Sequence, residues 1–317
     1  MKKQIIKPIP FGERPGPEPY NASELVPIAD SRFLFCDNNI GNALFELRLT
    51  SDARMSGPLI RHQIEGIDDG ALDDLEGLAI CESGDQRLIF ALPSQSLKKR
   101  KNWQHRKRSK RGRVFPPRNG LLRIVSDNGN RFRAEIIPDF RGWLIANAPE
   151  IANASRYLPD DDGLNLEALG WHPADQTLLL GLRTPVLKRK PVILRVRVKQ
   201  IDGPWDVSNF EVLPAVALQI EDSSGKQGIR SIEYDPSRDA WLVVVGNSTS
   251  SSKAPFRLYV WDGNRRGDVT RISHIKFHKK MRVEGVARGT INGRGALVFV
   301  DDCGGYQILW DDPVTNC

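Results

Sequence analysis

The sequence predicts an all-β β-propeller, folded as a single domain over residues 1–317, with five blades of four antiparallel strands each. Three observations favour it: a two-strand pattern occurs five times, further strand-like segments follow the copies, and few segments have helical periodicity. Six blades are the alternative, with residues 139–164 as a degenerate sixth unit.

Each copy of the pattern consists of an apolar segment, a turn and a second apolar strand. The copies begin at Ser23, Glu76, Glu167, Arg230 and Glu284. The third and fourth copies match best, because Trp171-His172-Pro173 and Tyr234-Asp235-Pro236 occupy the same offsets before the second strand. Residues 192–196 and 210–213 supply two more strands after the third copy, so each unit is expected to have four.

Two segments outside the repeats have their own predictions. Residues 143–148 are the one short helix that the periodicity favours. The last copy ends one strand short after Trp310, and residues 3–7 are expected to complete its blade. This pairing would close the ring and protect an exposed strand edge.

Composition limits the class of protein. With 40% hydrophobic and 27% charged residues, the chain can form a core. No apolar run approaches the ~20 residues that a membrane span needs, so no membrane association is expected. The basic N-terminus lacks the apolar region of a secretory signal. Because Cys36, Cys81, Cys303 and Cys317 form no CxxC pair, we expect reduced thiols and a cytoplasmic location.

A basic loop, residues 97–118, is predicted to be inserted within the second blade. Residues 98–113 contain ten Lys and Arg residues and no acidic residue. Because the net charge of the whole chain is +7, the net charge of the remaining residues is 7 − 10 = −3. One interpretation is a flexible, solvated segment. The other is a surface that binds nucleic acid or an acidic protein, since clustered positive charge attracts polyanions.

Repeat geometry gathers polar residues at the mouth, the end of the central channel where the first strands of the blades begin. The candidate metal-binding residues are Glu76, Glu167, Glu284, Asp37 and Asp301. The candidate ligand-binding residues are Arg183, Arg230, Asp74, Asn165 and Asn247. Carboxylates at equivalent positions repel one another unless a cation compensates. The two candidate compensators are Ca²⁺, which prefers such oxygen ligands, and Arg230.

The ordered motifs resemble a known family. They are Asp74-Leu75-Glu76-Gly77-Leu78-Ala79, Leu166-Glu167-Ala168-Leu169-Gly170-Trp171, Gly181-Leu182-Arg183-Thr184-Pro185, Gly228-Ile229-Arg230-Ser231-Ile232 and Val283-Glu284-Gly285-Val286-Ala287. Over nearly the whole chain they resemble the bacterial domain of unknown function 3616, related to the esterase-like and phytase-like propellers. That resemblance implies a calcium-dependent phosphoester or ester hydrolase. The family has Ser-His-Ser where this chain has Ser94-Gln95-Ser96.

No Gly-x-Ser-x-Gly elbow, Walker loop or dinucleotide fingerprint occurs, so three common enzyme classes lose support. The leading hypothesis is a cytoplasmic propeller that binds an anionic ligand, such as a phosphoester, at its mouth, with or without Ca²⁺ and hydrolysis. The alternative is a non-catalytic scaffold whose basic loop contacts nucleic acid or an acidic protein. A bound metal ion with an open coordination position would favour the first hypothesis, with hydrolysis, over the non-catalytic scaffold.

Overall fold

Antiparallel four-stranded units account for most of the fold. The computed structural model describes residues 4–12, 19–84, 86–99, 112–127, 131–220 and 226–311. The first unit consists of β3 (Ala22–Ala29), β4 (Arg32–Asp37), β5 (Ile40–Arg48) and β6 (Ile60–Glu65). The second consists of β7 (Leu75–Ser83), β8 (Gln86–Pro93), β11 (Leu121–Asp127) and β12 (Arg131–Ile137), and a short parallel pairing of β12 with β6 joins these two units into one eight-stranded sheet.

Two further units keep the same strand order. The third consists of β13 (Asn165–His172), β14 (Thr177–Leu187), β15 (Lys190–Val198) and β16 (Phe210–Ala217). The fourth consists of β17 (Gln227–Asp235), β18 (Ala240–Asn247), β19 (Arg257–Trp261) and β20 (Val269–Arg271). The strands expected at residues 192–196 and 210–213 are therefore confirmed.

The last unit takes its outer strand from the N-terminal segment. It consists of β22 (Val283–Ile291), β23 (Arg294–Asp301), β24 (Gly305–Trp310) and β2 (Ile9–Pro10). The expectation that residues 3–7 fill this position is wrong. In that stretch β1 (Gln4–Ile6) instead pairs in parallel with β21 (Ile275–Phe277), and the chain reaches β24 only after Pro8.

The first strands of the units, β3, β7, β13, β17 and β22, are the inner strands, and they contact one another in cyclic order. Five apolar clusters among the described residues each join two neighbouring units, including the last to the first. Strands inside a unit are packed on both faces, which explains continuous apolar runs such as the one in β18, the second strand of the fourth unit. Among the described residues this arrangement is a closed ring of β-units.

Residues 139–164 form no strand. They contain α1 (Phe140–Asn147), α2 (Pro149–Ala152) and two short 3₁₀ turns, so a degenerate sixth unit is not present there. Asp139 caps α1 by accepting a hydrogen bond from the Gly142 amide. The helix predicted at residues 143–148 is present, but it begins three residues earlier, at Phe140, and ends one residue earlier, at Asn147. Phe140, Leu144 and Ile151 pack between the second and third units.

The basic loop leaves the second unit between β8 and β11. Its base is a short hairpin of β9 (Leu97–Lys98) and β10 (Arg113–Val114). Residues 100–111, with most of the predicted positive charge, lie outside the described residues. The base alone fixes where the loop enters and leaves the fold.

The outer part of the first unit contains one buried carboxylate with three basic partners. Glu46 accepts hydrogen bonds from Arg32 Nε at 2.6 Å, Arg48 Nε at 2.6 Å and His62 Nε2 at 2.8 Å. Although burial opposes its charge, these three contacts lower the pKa of Glu46 to about 2. Glu46 is therefore ionised at neutral pH.

Candidate functional site at the mouth of the ring

Each inner strand has a β-bulge close to its N-terminal end. The unpaired residues at these bulges are Glu24, Glu76, Glu167, Arg230 and Glu284. A bulge inserts one extra residue on one strand and re-aims its side chain, so the same local geometry recurs in all five units. Four carboxyl groups and one guanidinium thus occupy equivalent positions.

Glu24 is the member of this set that the sequence prediction missed. The repeats were aligned on Ser23, but the register shift lies between Ser23 and Leu25 and makes Glu24 equivalent to Glu76. The pattern of a glutamate followed by an apolar strand was the available signal. Glu24 reaches a non-adjacent inner strand, accepting hydrogen bonds from Ser231 Oγ at 2.5 Å and the Ile232 amide at 3.3 Å.

Arg230 neutralises its two neighbours in the ring. Its Nη1 lies 2.5 Å from Glu167 Oε2, its Nε lies 2.7 Å from Glu284 Oε2, and its Nη2 contacts Glu284 Oε1. All three side chains are at most 6% exposed. Burial opposes the charge of Arg230, but Glu167 and Glu284 outweigh it and raise the pKa of the guanidinium.

These contacts bear on the two candidate compensators. Both oxygens of Glu284 bind Arg230, while Glu167 contacts Arg183 and Asn165 with one oxygen and Arg230 with the other. Among the described residues, no group of three or more His, Cys, Asp or Glu side chains could hold a metal ion. The oxygens of Glu167 and Glu284 are thus engaged by arginine and amide side chains, and Arg230 is a compensating charge in contact with both.

No arginine among the described residues contacts Glu76. It accepts hydrogen bonds from Ser23 Oγ at 3.0 Å and Asn38 Nδ2 at 3.2 Å. Burial raises the pKa of Glu76 well above its usual value, Glu167, Asp74 and Glu284 raise it further, and Arg230 opposes the rise. Glu76 is thus favoured as a neutral carboxylic acid.

Arg183 lies at the more open side of the cluster. Its Nη1 lies 2.5 Å from Glu167 Oε1 and its Nε donates to the Ser248 carbonyl at 3.1 Å, while 21% of the side chain is exposed. Asn165 Nδ2 donates to the same Glu167 oxygen at 2.8 Å. These contacts fix the orientation of a cation that solvent can reach.

Among the described residues, three of the buried polar atoms without a hydrogen-bond partner belong to strand ends and a loop next to Arg183. They are Asn165 Oδ1, Gln227 Oε1 and Ser248 Oγ, each in a residue no more than 5% exposed. Asn165 pairs with Thr184, next to Arg183, and Gln227 pairs with Asn247, next to Ser248. Buried polar groups are rarely left unpaired, so this concentration of them marks a place suited to polar contacts.

Asp74 belongs to a second network, which connects the mouth to the basic loop. Its Oδ2 accepts a hydrogen bond from Ser94 Oγ at 2.5 Å and lies 3.2 Å from Arg118 Nη1. Burial raises the pKa of Asp74 although Arg118 and Ser94 lower it. Arg118 and Lys98 also bind Asp73, each at 3.2 Å. The loop base is thus joined to the mouth by ion pairs.

Gln95, which stands where the resembling family has histidine, binds backbone groups. Its Nε2 donates to the carbonyls of Pro93 and Gly120, both at 2.8 Å. Both Gln95 and Asp74 have left-handed backbone, with φ of 55° and 66°. Non-glycine residues in this region cost free energy and often cluster near functional sites.

The remaining candidates bind turns close to them in sequence. Asn247 Nδ2 donates to the Thr249 carbonyl at 3.0 Å. Asp37 accepts from the amides of Asn21 and Asn39, and Asp301 from those of Cys303 and Gly305. Burial raises the pKa of Asp301 to about 6, against those amide donors. These carboxylates cap equivalent turns after β4 and β23.

Comparison with known proteins gives a family match. The model described as a protein of unknown function, DUF3616, matches residues 146–304, half of the chain. This range includes Glu167, Arg183, Arg230 and Glu284. No curated protein matches the chain. No helix of the described residues is both long and apolar enough to cross a membrane.

Solved structures give weaker likenesses. The Malassezia sympodialis allergen Mala s 1 is 11% identical with a TM-score of 0.48, covering 100% of this chain and 98% of that one. The GH43 protein BlXynB from Bacillus licheniformis is 8% identical with a TM-score of 0.47, covering 93% and 50%. The GH32 β-fructofuranosidase BmSUC1 of Bombyx mori is 10% identical with a TM-score of 0.45, covering 97% and 60%. These TM-scores support no functional argument.

Proposed function

This protein belongs to the DUF3616 family, and we propose that it binds a small anionic molecule, such as a phosphate monoester, at the mouth of the ring. We also infer that the ring is a five-bladed β-propeller. The cyclic contacts of β3, β7, β13, β17 and β22 support that count, as do the apolar clusters between successive units.

The observation that carries the proposal is that the Arg183 side chain is held in one orientation and is partly exposed to solvent. Its contacts with Glu167 and Ser248 hold the guanidinium in place while leaving the side chain partly exposed. A fixed guanidinium loses less entropy when it binds an anion and presents several donors to phosphate or carboxylate oxygens. Arg230 differs, because it is buried and saturated by Glu167 and Glu284.

The unpaired acceptors beside Arg183 suggest which anionic ligands the site would prefer. Asn165 Oδ1, Gln227 Oε1 and Ser248 Oγ can accept hydrogen bonds from a ligand that carries hydroxyl or amine groups. Such contacts would favour a hydroxylated ester over a bare inorganic anion, because a site with buried polar groups discriminates against ligands that leave them unpaired.

Hydrolysis is a further part of the proposal, taken from the resemblance to esterase-like and phytase-like propellers. Within the mouth, Glu76 is the group suited to general-acid work, because a carboxyl with a raised pKa keeps a proton to donate near neutral pH. No step through a metal is proposed, since Glu167 and Glu284 are already bound by Arg230, Arg183 and Asn165.

Calorimetric titration with inorganic phosphate, glycerol phosphate and p-nitrophenyl phosphate tests the binding. Replacing Arg183 with alanine should weaken binding of both esters by about 10–100-fold, the usual effect of losing a charge-assisted hydrogen bond. Arg183→Lys should recover only part of the affinity, because lysine lacks the planar fork.

The matched control is an alanine variant that also removes one positive charge, but at a position away from the mouth. Arg197 is an exposed arginine on β15 that pairs with Glu211 at 2.9 Å, and its alanine variant should bind as the unaltered protein does. Equal affinities of Arg183→Ala and Arg197→Ala would contradict the mouth site. Release of p-nitrophenol that depends on Glu76 would support hydrolysis, and its absence would leave binding alone.

A polyanion-binding scaffold is the second candidate, favoured by the charge of residues 98–113 and by the position of the loop base. Lys99 and Arg113 are exposed at the two ends of the loop. Replacing residues 99–112 with a Gly/Ser linker should abolish salt-sensitive binding to nucleic acid or an acidic protein and leave the melting temperature nearly unchanged. Unchanged binding would rule out this loop as the polyanion site.

A further inference from the structure

A cleft outside the mouth lies between the first unit and the base of the basic loop. It has a volume of about 320 Å³, within the range of small-molecule sites. The turn after β4, the loop between β6 and β7 and the segment after β10 form its walls. The residues that matter below are Asn39, Asn42, Arg61, Asp69, Lys98 and Phe115.

Arg61 is the cation of this cleft that is not neutralised. Its Nη2 donates to Asn42 Oδ1 and to Gln63 Oε1, each at 3.2 Å. Within the described part of the chain, no carboxylate lies within ion-pair distance of Arg61. Two neutral acceptors therefore orient an exposed guanidinium, and its remaining N–H groups are available to an anion.

The other charges of the cleft are already engaged. Asn42 Nδ2 donates to Asp69 Oδ1. Lys98 binds Asp73 at 3.2 Å, and its ammonium lies 4.2 Å from the centroid of the Phe115 ring. Arg61 is thus the place for one negative group, while the free oxygen of Asp69 and the exposed amide of Asn39 suit hydroxyl groups.

We propose that this cleft binds an anionic polyol of monosaccharide size, with its negative group on Arg61 and its hydroxyls on Asp69 and Asn39. A sugar phosphate and a sugar carboxylate share this chemistry. The cleft borders the mouth through Asp73, the neighbour of Asp74, but it is separate from Arg183, because Arg183 lies on the third unit and the cleft is formed by the first and second.

Calorimetry with glucose 6-phosphate, glucuronate and glucose tests the proposal. The two acids should bind and glucose should bind at least tenfold more weakly, since it has no group for Arg61. The acid that binds more tightly identifies the negative group. Arg61→Ala should lower the affinity at least tenfold, and Arg61→Lys should restore part of it.

Two controls separate this site from the mouth. Arg133, an exposed arginine on the neighbouring β12, lines no part of the cleft, so Arg133→Ala should leave the affinity unchanged. Arg183→Ala should also leave one site for the preferred acid. Binding that is lost in Arg183→Ala and kept in Arg61→Ala would assign the acid to the mouth and overturn this proposal, as would no binding of either acid at millimolar concentration.

Discussion

Replacing Arg230 with methionine tests the electrostatic account of the ring directly. Methionine retains an unbranched side chain but removes the charge that contacts Glu167 at 2.5 Å and Glu284 at 2.7 Å. Glu167 keeps Arg183 and Asn165, whereas Glu284 loses the side chain to which both of its oxygens bind. The perturbation therefore leaves one buried, unpaired carboxyl group.

The expected loss is about 3–5 kcal/mol of unfolding free energy, the usual cost of removing one partner of a buried ion pair. Urea unfolding at pH 8 should show it as a lower midpoint with an unchanged slope. Arg266→Met is the control, because Arg266 pairs with Asp268 at 3.0 Å and both side chains are exposed, so it should cost less than about 1 kcal/mol.

The pH dependence of the stability loss and a substitution of Glu284 test whether the unpaired carboxyl group causes the loss. Burial raises the pKa of Glu284 even against Arg230, and losing Arg230 should raise it further. Neutral Glu284 costs less to bury, so the loss in Arg230→Met should be smaller at pH 6 than at pH 8. Adding Glu284→Gln to the Arg230→Met variant should recover much of the lost unfolding free energy. A loss below about 1 kcal/mol, or a melting temperature raised by calcium, would refute Arg230 as the compensating charge.

Three further predictions follow from other contacts. Burial, with a smaller contribution from Glu233, raises the pKa of Glu24 above its unfolded value, so its stabilising effect is present at low pH and is lost as pH rises. Glu24→Gln should therefore be more stable than the unaltered protein at pH 9, and a lower melting temperature there would contradict this. Glu46 has a lowered pKa of about 2, so its contribution is lost as pH falls below about 4.5 towards 2. Urea unfolding of Glu46→Gln should show a deficit at pH 7 that shrinks at pH 3, and an equal deficit at both would contradict it. Deleting residues 1–10 should lower the melting temperature more than deleting residues 1–7, because only the longer deletion removes β2; equal losses would argue against closure by this strand.

The repeating units were predictable because their signal is local. An apolar strand, a turn and a second apolar strand leave a pattern in consecutive residues, as in β17 and β18, and the structure has the strands where that pattern lies. The closing strand was not predictable to the residue. Both Gln4–Ile6 and Ile9–Pro10 read as short extended segments, and the choice between them depends on tertiary pairing with β21 and β24.

Only those residues of the candidate site that occupy equivalent positions in the aligned repeats were predictable from the sequence. Glu76, Glu167, Arg230 and Glu284 were found because their copies align without a gap. Glu24 was missed because a one-residue bulge changes which residue is equivalent, and a bulge leaves no mark in composition. Asp37 and Asp301 share an offset with the site, but their orientation depends on nearby amides that the sequence does not place.

The five bulge positions limit what the mouth can bind. Four carboxyl groups meet one guanidinium there, and Arg230 contacts only Glu167 and Glu284. Burial favours the neutral form of Glu24 and Glu76, so the centre can avoid a large negative charge without a metal ion. With Glu24 and Glu76 neutral, only Glu167 and Glu284 are left to oppose Arg230, so the centre repels an anion less than four ionised glutamates would. The partly exposed Arg183 can then attract a negatively charged ligand to a mouth whose bulge residues are mostly acidic by type.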